Sequence, residues 1–246
     1  MNIIADTHTH TIASTHAYST LQEMVHAAFL KKLYAIAITD HGITMPGAPG
    51  RWYFHNLRIV PHLLEGVLVL RGQETNIIDF DGNIDLEKDS VSTMDWVVAS
   101  IHAEAIPKER PTVEEVTNAW MNIAKNPHIH VIGHSGTQKY RYDYESVIPE
   151  FGRRGKLVEL NESSFTGRES SIPNCKKIME ICKKRDVPVI VNTDSHFSSL
   201  VGCFDRSLAL LKEVDFPEEL VVNSSVERFQ AYLREYTNVF RDPLLQ

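Results

Sequence analysis

The chain has 246 residues, 43% hydrophobic and 23% charged, with a formal net charge of −7. That composition suits a folded globular protein and excludes disordered, collagen-like and membrane-spanning classes, because no apolar run approaches the roughly 20 residues of a span. The net acidity argues against nucleic acid as a partner, which calls for a basic surface. About 250 residues is a common size for one parallel α/β barrel, so one domain over 1–246 is expected.

The N-terminus enters an apolar segment, Ile3-Ile4-Ala5, with no signal-peptide pattern. Short β-branched runs predict strands at 2–7, 34–39, 67–71, 96–100, 131–133, 157–160 and 189–192. Most are near-continuous apolar runs, as parallel strands covered on both faces require. Thr20-x-x-Glu23, Thr112-x-x-Glu115 and Ser224-x-x-Glu227 fit the capping box and predict helix starts. After Thr112, the residues Val116, Ala119, Trp120, Ile123 and Ala124 form one apolar stripe. Pro149 and Gly152 interrupt the helical stretch after Asp143. Asp81-Gly82 predicts a hairpin inserted after the third strand. Seven strands alternating with helices point to an α/β barrel of fewer than eight strands, with an open doubly wound sheet as the other topology. Cys175, Cys182 and Cys203 form no CxxC pair, and the first two read as core fillers in a reducing, cytoplasmic compartment.

Metal-ligand residue types recur where strands end. The first strand delivers Asp6, His8 and His10, the second Asp40-His41, the third Glu74, the fourth His102, the fifth His134 and the seventh Asp194 and His196. In parallel barrels these carboxyl ends converge on the face that carries the active site. His8 and His10, two apart on an extended strand, leave the same side, and Asp6 points with them. Imidazole suits zinc and other transition metals, and a carboxylate can bridge two ions. An isolated HxH pair reads equally well as a satisfied polar network, but six strand ends together make coincidence a poor explanation. His16 lies in the first loop, where a single histidine is more often a surface residue.

His26, His62, His128 and His130 follow no strand end and take structural readings, while His55 is a candidate substrate contact. The Gly- and Pro-rich segment 42–53 has the character of a lid. Arg51 and Arg58 are candidate substrate-binding residues, able to hold phosphate in a bidentate fork; each also reads as a solvated surface group. Lys139, Arg141 and Arg168 are weaker candidates. Asp40, Asn161 and Asp6 are expected to orient ligands or water.

The motifs Asp6-x-His8-x-His10, Thr39-Asp40-His41 and Asp194-Ser195-His196 resemble those of the polymerase and histidinol phosphatase (PHP) family across essentially the whole chain. The segment from Ala13 to Thr20, with Trp52, Asn56 and Arg58, resembles the YcdX-like phosphatase branch. The resemblance implies a distorted seven-stranded (β/α)7 barrel with three divalent metal ions, usually zinc, with manganese or iron in some members. It implies that His8, His10, Glu74 and Asp194 hold the first ion, that Glu74 bridges to a second held also by His102 and His134, and that His16, His41 and His196 hold the third. Glu74, Asp194 and His196 are the expected catalytic residues. Family members include histidinol phosphate phosphatases, other small-molecule phosphatases and polymerase-associated nuclease domains.

Three dications facing two carboxylates and seven neutral imidazoles leave about four positive charges. Water bound to such ions ionises at about pH 7. The expected reaction is therefore attack of a metal-bridging hydroxide on a small-molecule phosphomonoester, with no covalent phosphoenzyme. Three alternatives compete: amidohydrolase C–N hydrolysis, phosphodiesterase or nuclease activity, and a non-enzymatic metal-binding regulator. A binuclear amidohydrolase site does not require His16 or the Asp40-His41 pair, the acidic charge weighs against a nuclease, and the full ligand set weighs against an idle regulator.

Overall fold

A computed structural model describes residues 1–106, 109–242 and 245. The apolar runs form β1 (Ala5–Thr9), β2 (Ala35–Ile38), a short β3 (Leu63–Leu64), β4 (Val67–Asn76), β5 (Trp96–Ser100), β6 (Val131–Ile132), β7 (Leu157–Asn161) and β8 (Val189–Asn192). The helices are α1 (Leu21–Leu30), α2 (Arg51–Asn56), α3 (Lys88–Val91), α4 (Val113–Lys125), α5 (Tyr144–Arg153), α6 (Ile172–Lys184), α7 (Asp205–Glu213) and α8 (Val226–Tyr236). Among the described residues, no helix is long and apolar enough to cross a membrane.

The strands pair in the order β1-β2-β4-β5-β6-β7-β8, all parallel, with β3 added antiparallel to β4. Edge strands inside a protein leave backbone groups that must find partners. At the seam between β8 and β1, side-chain amides provide them. Asn192 Oδ1 accepts from the Thr7 N–H and hydroxyl, both at 2.8 Å. Asn223, fully buried, donates to the carbonyls of Ala5 at 2.8 Å and Val191 at 2.6 Å. With the Thr9–Ser195 bridge, these contacts make the sheet a nearly closed seven-stranded (β/α)7 barrel.

Strand residues alternate between two cores. Ile36, Val69, Val97 and Val158 pack outward with residues of α1, α4, α5 and α6. Ala35, Leu68, Trp96, Leu157 and Ile190 form a second cluster with Phe229 and Leu233 of α8. The Tyr232 hydroxyl donates to the carbonyls of His130 and Gly155, so α8 covers the N-terminal ends of the strands. The opposite mouth stays open.

Several local expectations need correction. Strand β4 continues past Arg71 to Asn76, because its polar residues pair with β5 and the Asn76 N–H finds the buried Asp85 carboxylate. The capping boxes at Thr20 and Thr112 form, but the third does not. Ser225 caps α8 and accepts from the Arg228 N–H, while the Ser224 hydroxyl turns back to the Val221 carbonyl. Helix α5 runs through Pro149, started by Asp143, whose side chain accepts from the Ser146 N–H. The hairpin around Asp81-Gly82 reduces to a single bridge, Ile77 to Ile84.

Candidate metal centre

Because strand side chains alternate, the row that begins with Leu68 and Leu70 on β4 continues through Gly72 to Glu74, which lies fully buried. Imidazoles surround its carboxylate. Glu74 Oε1 is 3.2 Å from His8 Nε2, 3.4 Å from His102 Nε2 and 3.0 Å from His134 Nε2. Its Oε2 is 2.7 Å from His41 Nδ1 and 3.5 Å from His10 Nε2. Asp194 Oδ1 is 3.1 Å from His10 Nε2 and 3.7 Å from His8 Nε2. His16 Nε2 is 3.2 Å from His41 Nε2, and the His16 ring stacks on His196 at 4.5 Å between centroids. The structure thus gathers every expected ligand.

Donor atoms lie within 4.8 Å of one another in three groups: His8, His10 and Asp194; His41, Glu74 and His102; and His10, His41 and His196. His41, expected with His16 and His196, therefore also reaches the Glu74 group. His8 Nε2, His10 Nε2, His41 Nδ1, His196 Nε2 and Glu74 Oε2 are buried without a hydrogen bond. Several lie at ion-pair distance but not in hydrogen-bond alignment, so they converge on shared space rather than on each other. Buried polar atoms without partners are costly, and a set of imidazole and carboxylate donors arranged this way fits divalent ions. Burial disfavours the charge on Glu74 and Asp194, yet the surrounding imidazoles hold both carboxyls well below their ordinary range.

A second layer aims these side chains. Glu159 accepts from His8 Nδ1 at 2.8 Å and from the His134 N–H at 2.7 Å. Asn76 Oδ1 holds His102 Nδ1 at 2.7 Å, and the Asn76 amide donates to Asp85. Asp40 accepts from the Thr11 N–H and hydroxyl, the Ser14 hydroxyl and the Tyr53 hydroxyl, which shapes the loop carrying His16. That loop is tied on its other side to the segment after His196, through Tyr18 N–H to the His196 carbonyl. His134 and Asp194 both have positive φ, +26° and +57°. Such backbone strain persists only where surrounding structure over-determines it, as at functional sites.

Asp6 does not join the cluster. The β1 ladder is irregular between Asp6 and Thr9, which breaks the alternation expected for Asp6, His8 and His10. Its carboxylate instead accepts from the Thr193 hydroxyl and N–H and the Gly202 N–H, and burial raises its pKa to about 6.

The mouth is a cavity of about 560 Å³ lined by His16, His41, Met45, Pro46, His102, Glu104, Ser163, Gly167, Arg168, Asp194 and His196. Arg168 donates to Asp194 Oδ2 at 2.9 Å and to Asn161 Oδ1 at 3.3 Å, and its Nε is buried without a partner. Arg51 and Arg58 are not brought to this mouth. Arg51 lines a separate cavity of about 100 Å³ with Trp52, His55, Glu87, Asp89 and Ser90. Arg58 is exposed at the end of the same segment, and its carbonyl accepts from Arg71. Among the remaining histidines, His130 stacks on Trp96, His62 lies between Asp95 and Asp242, and His26 pairs with Glu65. Sequence reasoning misses Glu159; its signal is a charged residue on the same side of β7 as Leu157 and Asn161.

The chain is 46% identical over 234 residues to a probable phosphatase of Acetivibrio thermocellus, covering 95% of this chain and 96% of that protein. It is 43% identical over 234 residues to a probable phosphatase of Caldicellulosiruptor saccharolyticus, covering 95% and 97%. Among solved structures, histidinol phosphate phosphatase from Lactococcus lactis, complexed with zinc, L-histidinol and phosphate, matches with a TM-score of 0.62 at 16% identity over 88% of this chain and 95% of that one. At that identity the likeness is one of fold. No family model matches the chain.

Proposed function

The chain belongs to the family of these probable phosphatases and is itself a phosphatase; we propose that it is a single PHP-type domain of the YcdX-like branch, hydrolysing small-molecule phosphomonoesters at a centre of three divalent ions, with zinc as the expected metal. The observation that carries this reading is the convergence of imidazoles on Glu74 and Asp194, with buried donor atoms left free of hydrogen bonds.

In this reading His8, His10, Glu74 and Asp194 would hold one ion, Glu74, His102 and His134 a second, and His16, His41 and His196 a third. Bound divalent ions supply a nucleophile from water near neutral pH and compensate charge on the phosphoryl oxygens. Glu74 and Asp194 stay ionised beneath the mouth and balance the cationic centre. Arg168 lines the mouth and binds the phosphate through its guanidinium, which is suited to phosphate oxygens. It takes the role expected of Arg51 and Arg58, which line no part of the mouth. Glu159 and Asn76 hold the rings of His8 and His102 in orientation.

The test is a panel of phosphomonoesters, including histidinol phosphate, together with phosphodiesters and amides, assayed with enzyme of known metal content. Monoester turnover should disappear on chelation and return with metal; robust activity after exhaustive metal removal overturns the reading. Anomalous diffraction separates the sites: Glu74→Gln should lower occupancy at two ions, and His16→Ala chiefly at one.

A further inference from the structure

Among the described residues that line the mouth and are neither expected ligands nor Arg168, only Glu104 is charged; the others are Met45, Pro46, Ser163 and Gly167. Its position is set at both ends. The N–H groups of Ala105 and Ile106 both donate to the His102 carbonyl at 3.2 Å, closing a turn that starts in the histidine cluster. Ile106 then anchors the far end in the core at 6% exposure. Glu104 is left exposed on the turn, beside the cavity.

The lining of the mouth thus carries unlike charges, the Arg168 guanidinium beside the imidazole cluster and the Glu104 carboxylate. The phosphate half of an ester belongs with Arg168 and the imidazole cluster. The other half of a small ester then shares the cavity with the Glu104 carboxylate. A carboxylate lining the same cavity attracts an ammonium group on the bound ester and repels a second anion, an interaction that salt screens over a Debye length of about 8 Å. Resting on the phosphomonoesterase reading, we infer that Glu104 is a specificity-determining residue, favouring phosphomonoesters that carry an ammonium group and disfavouring those that carry a carboxylate or a second phosphate. Because the charge is exposed, the effect in each direction should be roughly fivefold, the upper range for an exposed ion pair. It should fall on KM more than on kcat, since an interaction with the part of the ester that hydrolysis leaves unchanged acts on ground state and transition state alike.

The test measures binding and turnover separately on metal-loaded protein. Calorimetry compares 2-aminoethylphosphonate, propylphosphonate and 3-phosphonopropionate, which cannot be hydrolysed as esters. Steady-state kinetics compare O-phosphoethanolamine, ethyl phosphate and 2-phosphoglycolate. The wild type should bind the amino ligand more tightly than the carboxylate, Glu104→Gln should narrow that gap, and Glu104→Lys should invert it. An affinity ratio that is the same in all three proteins overturns the inference, and ethyl phosphate hydrolysis in that case leaves the phosphatase reading standing. A ratio that follows residue 104 while no ester is hydrolysed supports the selectivity and removes the phosphatase reading instead.

Discussion

Replacing Glu159 by Gln tests whether the site depends on a carboxylate that touches no expected metal position. Glu159 is 5% exposed and accepts four hydrogen bonds. His8 Nδ1 at 2.8 Å and Asn192 Nδ2 at 2.9 Å meet Oε1; the His134 N–H at 2.7 Å and Asn161 Nδ2 at 3.0 Å meet Oε2. An ionised carboxylate only accepts, so His8 carries its proton on Nδ1 and turns the lone pair of Nε2 toward the cluster. A glutamine has one accepting oxygen and one NH2 group. Whichever way the amide is turned, it sets donors against donors at two of the four contacts. Each hydrogen bond to a charged group contributes about 1.5–3 kcal/mol, and rotation of Asn161 relieves part of the loss, so about 3 kcal/mol of stability should disappear. Metal affinity should fall about 10- to 100-fold, the usual effect of removing a group that orients a ligand. Urea denaturation at pH 7 and metal titration against a competing chelator read the two effects. A Glu159→Gln protein with unchanged midpoint and unchanged affinity would refute the claim that Glu159 fixes the His8 tautomer. Although burial opposes its charge, His8 lowers the Glu159 pKa, so its contribution is present above the ordinary value of 4.5 and is lost as pH falls through the folded value.

Arg168→Ala should weaken inhibition by inorganic phosphate about 10- to 100-fold, the equivalent of one or two charge-assisted hydrogen bonds; an unchanged inhibition constant removes Arg168 from phosphate binding. His62 faces Asp95 through Nε2 at 3.0 Å and Asp242 through Nδ1 at 2.6 Å. Burial lowers its pKa and Arg71 opposes its charge, but the two carboxylates raise it overall. Its stabilisation is therefore full below the ordinary value of 6.5 and lost as pH rises through the folded value, so wild-type stability should decline on that alkaline side and His62→Gln should flatten the decline. Urea midpoints between about pH 6 and 9 decide this, and an equal slope in both proteins contradicts it. A Cβ on Gly133 would lie 2.2 Å from Ser100 Oγ and 2.7 Å from Val98 Cγ1, directly before the strained His134. Gly133→Ala should cost about 1–3 kcal/mol of stability, as overpacking does, and a melting temperature equal to the wild type would show that the neighbours yield freely.

The limits of the sequence reading follow the chemistry of the barrel. Apolar periodicity marks the strands where they pack, and the runs Trp96–Ser100 and Val189–Asn192 appear in the structure with those ends. It stops where the inward row turns polar. On β4 that change comes after Leu70, so the segment from Gly72 to Asn76 reads as a loop beyond the strand although it is the strand itself, and Glu74 lies within it. The same effect hides Glu159: a search of strand ends passes over a carboxylate inside the strand, although its inward register with Leu157 and Asn161 is present in the sequence. Arginine placement is less legible still, because a long side chain is placed by its partners rather than by its neighbours in the chain. Arg51 begins α2 and faces a separate cavity, on a segment held to the site loop through the Tyr53 to Asp40 hydrogen bond, while Arg168 is drawn to the mouth by Asp194, beyond the end of β8, and by Asn161, the last residue of β7. Motif spacing locates the donors along the chain, but the charge they require nearby is supplied by contacts that exist only once the barrel has closed.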